Sequence, residues 1–168
     1  HWCTSIRVGY FSKPGQMQTQ AHIPTRQWGW PLRLEPLAAL LRERIAGWEA
    51  QYEPVDAVGL AAAAVVEPES GFVRVGENLG WKDLPVGAIL AHELERPVRI
   101  DVDAFCGALA EGAVGSGKGL ASFLYVVVGT GIGHGLVLNG SLRHGMHGAA
   151  NAFGHIKVVP NGAPCYCG

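Results

Sequence analysis

Long apolar runs are missing from this sequence. The longest stretches, such as Val58 to Val66, fall far short of the ~20 residues that a membrane-spanning helix needs. The opening residues carry no secretory leader pattern, so neither a membrane anchor nor export is expected. A surplus of one charge is missing too, with 13 Lys and Arg against 14 Asp and Glu and no block of one sign. That balance argues against a nucleic-acid surface and against a basic membrane-binding face. Charged residues amount to only 16%, below the ~25% of ordinary soluble domains, whereas apolar residues make 48%. General disorder is thereby excluded and a sizeable buried core is expected. The four cysteines are too few and too uneven for a disulfide scaffold, so a reducing, cytoplasmic setting is the default.

What the chain has in excess is glycine, 24 of 168 residues, about twice the usual ~7%. The glycines gather at Gly112 to Gly119, Gly129 to Gly135 and Gly140 to Gly154, as tight turns and close backbone approaches require. The length suits one domain or a pair of small lobes. Ser5 to Phe11 and Gln16 to Ile23 flank the turn signal Lys13-Pro14-Gly15 and predict a hairpin. Pro36 to Gln51 places Leu37, Leu40, Leu41, Ile45 and Trp48 on one helical face. Val55 to Val66 predicts one buried strand, and Asp83 to Glu95 a helix capped by Asp83 and stopped by Pro97. Val98 to Val102 then predicts a strand, and Ala104 to Val114 a helix starting directly after Asp103. Ser122 to Gly129, Gly135 to Asn139 and Gly154 to Val159 predict three further strands. Such alternation means an α/β fold with a mixed sheet.

Two apparent motifs fail on inspection. Gly112 to Lys118 nearly spells a P-loop, but Gly119 replaces the magnesium-binding Ser or Thr, and the helix-to-strand order is reversed. Gly129-Thr130-Gly131-Ile132-Gly133-His134-Gly135 lacks the spacing of a dinucleotide fingerprint.

Three segments carry chemistry. A carboxylate at a helix start is held in place and ionised, as a base acting on an alcohol must be, and Asp103 occupies that position. Asp is also a preferred helix cap, so the segment alone leaves both roles open. The hairpin Gly129 to Gly133 would let backbone N–H groups approach phosphate oxygens, with Thr130 adding a hydroxyl; an ordinary tight turn fits it equally. His155, Cys165 and Cys167 are donor types suited to tetrahedral zinc, one short of the four that a closed site needs.

Taken in order, Asp101 to Glu111, Val128 to Gly135, and Gly154-His155 with Cys165-Tyr166-Cys167-Gly168 resemble the ROK family of repressors and sugar kinases. The resemblance implies an actin-like, hexokinase-like ATPase fold, a ribonuclease H-like mixed sheet with flanking helices. Residues 1–115 would form the N-terminal lobe, and residues 116–168 would begin a second lobe that is incomplete. It implies ATP-dependent phosphorylation of a hexose or N-acetylhexosamine, with a sugar and a nucleotide as partners, magnesium and zinc as metals, and a homodimer as the assembly. By the same resemblance Asp103 binds the sugar and takes its hydroxyl proton. Thr4, Gly129, Thr130, Gly131 and Gly133 hold phosphate, and His155 meets both the sugar and a zinc ion shared with Cys165 and Cys167. The chain departs from the family at Val102 and Phe105, where Asn binds sugar, at Ala152, where Glu does, and at Ala63-Ala64, which replaces Pro-Gly. A sugar-binding or regulatory relative with impaired catalysis is therefore the alternative.

Overall fold

The computed structural model describes residues 5–25, 28–129 and 131–164. Its first element is the expected hairpin, β1 (Ser5–Lys13) and β2 (Gln16–Pro24), antiparallel around Pro14-Gly15. Helix α1 (Leu34–Glu49) follows and buries Leu37, Ala38, Leu41 and Ile45, which its 3.6-residue period places on one face. Each of the buried Leu and Ile side chains contributes about 1.5–3 kcal/mol of burial free energy. Trp81 supports the entry to α1, since its buried indole N–H donates to the Leu32 carbonyl at 2.6 Å.

The stretch expected as one strand from Val55 to Val66 is two. β3 (Val58–Ala62) pairs in parallel with β7 (Val98–Val102), whereas β4 (Val65–Glu67) pairs antiparallel with β5 (Phe72–Gly76). Between them the Ala64 N–H donates to the Ala62 carbonyl at 2.9 Å, a turn tight enough to send the chain into a different sheet. An unbroken apolar run has no periodicity from which to read such a break.

The helix expected over Asp83 to Glu95 is also shorter. Trp81–Leu84 form β6, paired with β5, and Asp83 has a left-handed φ of 49° instead of capping a helix. Helix α2 (Val86–Leu94) begins after Pro85 and ends on Glu95, left-handed at φ 53°, before Pro97 is reached. β7 and α3 (Asp103–Val114) agree with expectation, Asp103 being the first helical residue. β8 (Phe123–Val128) and β9 (Ile132–Leu138) form an antiparallel hairpin, extended by β10 (Ser141–Leu142). Gly154 to Val159 is not a strand: Gly154 and His155 close a 3-10 segment (Met146–His155), and Val158 and Val159 lie exposed.

The main core lies where α1, α2, α3 and the β3–β7 region converge, with Val66, Val73, Val86, Leu90 and Phe105 fully enclosed. Because Ala62 and Val102 are register partners, the chain leaves both parallel strands on the same side. Ligand sites in open α/β sheets form outside such carboxyl ends. Asp103 starts there.

Candidate active site

Asp103 opens α3 immediately past the end of β7, where the helix dipole favours negative charge. Its Oδ1 accepts a hydrogen bond from the Ala104 N–H at 2.7 Å, which fixes the carboxylate. Partial withdrawal from water pushes its pKa above the ordinary value, against the lowering effect of the backbone N–H groups of Ala104 and Asp103. A raised pKa makes the carboxylate a better proton acceptor.

The glycine hairpin is brought to this carboxylate by direct packing. A Cβ on Gly133 would lie 3.1 Å from the Ala104 Cβ, and one on Gly135 only 2.5 Å from the Ala108 Cβ. Only a strand without side chains at those two positions can lie this close to the first turns of α3. Gly129 and Gly131, at the hairpin tip, face open space, and the Gly129 N–H closes the turn onto the Gly131 carbonyl at 2.9 Å. Of the three glycines expected to hold phosphate, Gly129 and Gly131 form a tip free to be approached, whereas Gly133 belongs with Gly135 to a stem packed on the helix that carries Asp103.

His155 is exposed at the end of the 3-10 segment. Its neighbour Gly154 lies against the Ile132 carbonyl, so that segment returns to the tip end of the same hairpin. Phe153 sits 5.1 Å from the His134 ring, which adds to this contact. Thr4, Thr130, Cys165 and Cys167 fall outside the described residues. Among the described residues no three His, Cys, Asp or Glu side chains come together as metal ligands.

One pair was not legible in the sequence. The His144 ring Nε2 lies 2.9 Å from Asp101 Oδ2, and the ring meets Phe105 edge-on at 5.1 Å. Asp101 Oδ1 also accepts from the Val102 N–H at 2.8 Å. The pair ties the segment after β10 to the end of β7, next to Asp103. The two residues are 43 positions apart and nothing in the sequence links them. Cys106, on the first turn of α3, is held as the neutral thiol: burial foremost, then Asp101 and Asp103, pushes its pKa up to about 11.

The sequence profile of the ROK family matches residues 3–168. The chain belongs to the ROK family. A glucokinase from Halalkalibacterium halodurans is 36% identical over 167 residues, covering 98% of this chain and 51% of that protein. The xylose repressor of Caldicellulosiruptor bescii is 32% identical over 111 residues, 66% of this chain and 28% of that protein. Among solved structures, a ROK glucokinase from Streptomyces griseus in complex with glucose and AMPPNP superposes with a TM-score of 0.83. It is 30% identical and covers 98% of this chain and 51% of that one. The chain thus spans about half the length of the glucokinases it matches. Its fold is that of the ROK kinases, the expected actin-like α/β architecture.

Three of the positions expected to depart from the family pattern are structural here. Val102 and Phe105 are enclosed in the core at 1% and 0% exposure, and Ala64 is buried in the turn between β3 and β4. Ala152 is exposed in the 3-10 segment.

Proposed function

We propose that this chain is part of an ATP-dependent kinase for a hexose or N-acetylhexosamine, with Asp103 as its base. The observation that carries the reading is the junction at Ala104. One residue hydrogen-bonds the Asp103 carboxylate through its N–H and, through its Cβ, seats the glycine hairpin. A phosphoryl donor lying over the hairpin tip and an alcohol at Asp103 would then share one helix N-terminus. In the proposed step Asp103 takes the proton of a sugar hydroxyl and that oxygen forms a bond to the γ-phosphorus. The bridging P–O bond breaks and ADP leaves with the electron pair. Magnesium would travel with the nucleotide phosphates, neutralising charge.

The glucokinases among the relatives support this reading. Residues 1–115 would be the lobe that carries Asp103, and residues 116–168 the start of the lobe that grips phosphate. Zinc held by His155, Cys165 and Cys167 is part of the same proposal, and the step above does not pass through it. Metal analysis of the purified protein tests it, with loss of zinc expected in Cys165→Ser.

A specific observation favours a second reading. Where the family binds sugar through Asn side chains, this chain has Val102 and Phe105, both turned into the core. A sugar-binding relative without turnover would tolerate that exchange, and a xylose repressor is among its relatives. An ADP-release assay across hexoses and N-acetylhexosamines separates the two readings. Sugar-dependent turnover that falls about 1,000-fold or more in Asp103→Asn supports the kinase, a loss in the range of a removed general base. Sugar binding without ADP release supports the second reading.

A further inference from the structure

Asp101 and Asp103 flank the buried Val102 where β7 runs into α3, and they spend their oxygens differently. Both charges act on the Cys106 thiol, so the two carboxylates lie on the same side of the first turn of α3. Asp101 is fully engaged inside the protein: Oδ1 accepts from the Val102 N–H at 2.8 Å and Oδ2 lies 2.9 Å from His144 Nε2. An ionised carboxylate accepts and does not donate, so Nε2 carries the hydrogen of that bond. With side-chain exposures of 18% and 30%, the pair is largely shielded from water, where such a bond is stronger than on open surface.

His144 is itself held from several directions. Its ring meets Phe105 edge-on, at 84° between planes, and Phe105 is wholly enclosed in the core. The preceding N–H, of Arg143, donates to the Leu136 carbonyl of β9 at 2.8 Å, and the His144 carbonyl accepts from the Ala150 N–H at 2.9 Å. Gly145, at φ 70°, lets the chain double back so closely that a Cβ there would lie 2.9 Å from the Ala150 Cβ. His144 is therefore fastened to the hairpin strand β9 and to the 3-10 segment that ends in His155, while its ring reaches Asp101 and α3.

The contact of Gly133 and Gly135 with Ala104 and Ala108 sets how near β9 comes to α3. Small apolar surfaces of that kind set a separation but not a direction, whereas a charge-assisted hydrogen bond sets both. We propose that the Asp101–His144 pair is a clasp that positions Asp103, fixing the start of α3 against the glycine hairpin and the His155 segment. This rests on the reading of Asp103 as the base. The base must meet the acceptor hydroxyl while that oxygen faces the phosphoryl donor, and a misplacement of about 1 Å costs about 100-fold in rate. Asp101 and His144 are positioning residues: they hold the base and leave the sugar to other groups.

Steady-state kinetics with ATP, magnesium and the best acceptor among hexoses and N-acetylhexosamines test the clasp. His144→Phe keeps a ring against Phe105 and removes the donor; kcat should fall about 100-fold. The sugar KM should stay within about threefold, since no ground-state sugar contact is lost. His144→Gln returns an N–H donor at similar reach and should recover most of the loss. The double variant Asp101→Asn with His144→Phe keeps an oxygen for the Val102 N–H and leaves no carboxylate without its partner. It should regain the stability that His144→Phe loses, but not the turnover. Turnover that returns together with stability would overturn the clasp, because the pair would then only hold the fold. A raised KM at unchanged kcat would overturn it too, by placing the pair in the sugar pocket.

Hydrogen exchange reads the same clasp without turnover. In His144→Phe the Ala104 amide, which donates to Asp103, should exchange about tenfold faster or more, with the amides of α1 unchanged. An Ala104 amide that exchanges as in the parent would overturn the clasp even if kcat falls. Absence of sugar-dependent ADP release in the parent would bring down the kinase reading, and the Ala104 amide would then decide the clasp by itself.

Discussion

The valines of this protein meet two different fates. In the core beneath α1 and α2, Val66, Val73 and Val86 are wholly enclosed, whereas on β8 Val126 and Val128 stand 44% and 76% exposed, beside Leu124 at 52%. The sequence is apolar in both regions, so composition does not explain the difference; the number of layers does. The core region sets strands of two sheets against helices, with Phe105 of α3 closing it. The β8–β9 hairpin has α3 on one face, reached by Phe123 and Tyr125 against the glycines of α3 and the loop after it. Among the described residues its other face is covered over β9, where Phe153 lies on His134. A contiguous bare apolar strand is what an interface, or a further layer of the same fold, would cover. The homodimer implied by the family resemblance and the remainder of a second lobe are the two proposals for it.

The largest effect that sharpens this contrast is expected at Phe105. Phe105→Ala should cost about 3–5 kcal/mol in urea denaturation, because the side chain is fully enclosed and its truncation leaves a cavity in the core. A loss below about 1 kcal/mol would mean that the core is looser than its burial implies. Next is the seam between the two regions. Gly135→Ala puts a methyl group 2.5 Å from the Ala108 Cβ and 3.0 Å from the Ala104 carbonyl oxygen. It should cost about 1–3 kcal/mol as overpacking and, if Asp103 is the base, should lower turnover as well by tilting the hairpin away from α3. On the bare strand, Val126→Thr should change stability by less than about 0.5 kcal/mol. If that face pairs with another copy, the variant should also shift the association equilibrium in sedimentation.

Where the fold was legible in the sequence, local chemistry decided the structure. The Lys13-Pro14-Gly15 turn, the α1 stripe and the β7 to α3 junction were each marked by turn residues or periodicity, and each formed as expected. Where the sequence misled, a decision belonged to the tertiary level. Val55 to Val66 has no periodicity to mark the break at Ala63-Ala64, which exists because β3 and β4 have partners in different sheets. Leu84 satisfied a helical stripe, yet Trp81 and Lys82 are held by β5, and the helix waits for Val86. At the candidate site, Asp103 was readable because a carboxylate directly before an apolar helix is a local signal. The Asp101–His144 pair and the different duties of Gly129 and Gly133 were not, since each depends on what packs across from it.

The smallest expected effect lies in pH dependence, and here the two regions should differ in sign. Glu49, at the end of α1, accepts from Arg96 at 2.8 Å and from the Val55 N–H at 2.9 Å, and these bonds hold its pKa below the ordinary 4.5. Its contribution to stability is present above that ordinary value and is lost as pH falls through the lower, folded one. Asp103 is the opposite case, because partial burial raises its pKa above 3.8. The folded state binds that proton more tightly than the unfolded chain does, so its contribution is greatest below 3.8 and is lost as pH rises through the folded value. Asp103→Asn keeps an oxygen for the Ala104 N–H and removes the partly desolvated charge. Melting temperatures measured from acid to neutral pH should therefore show this variant gaining on the parent as pH rises, while Glu49→Gln falls behind it over the same interval. Parallel curves for the two variants would mean that the Asp103 carboxylate is as well hydrated as Glu49, and a base activated by partial desolvation would no longer describe it.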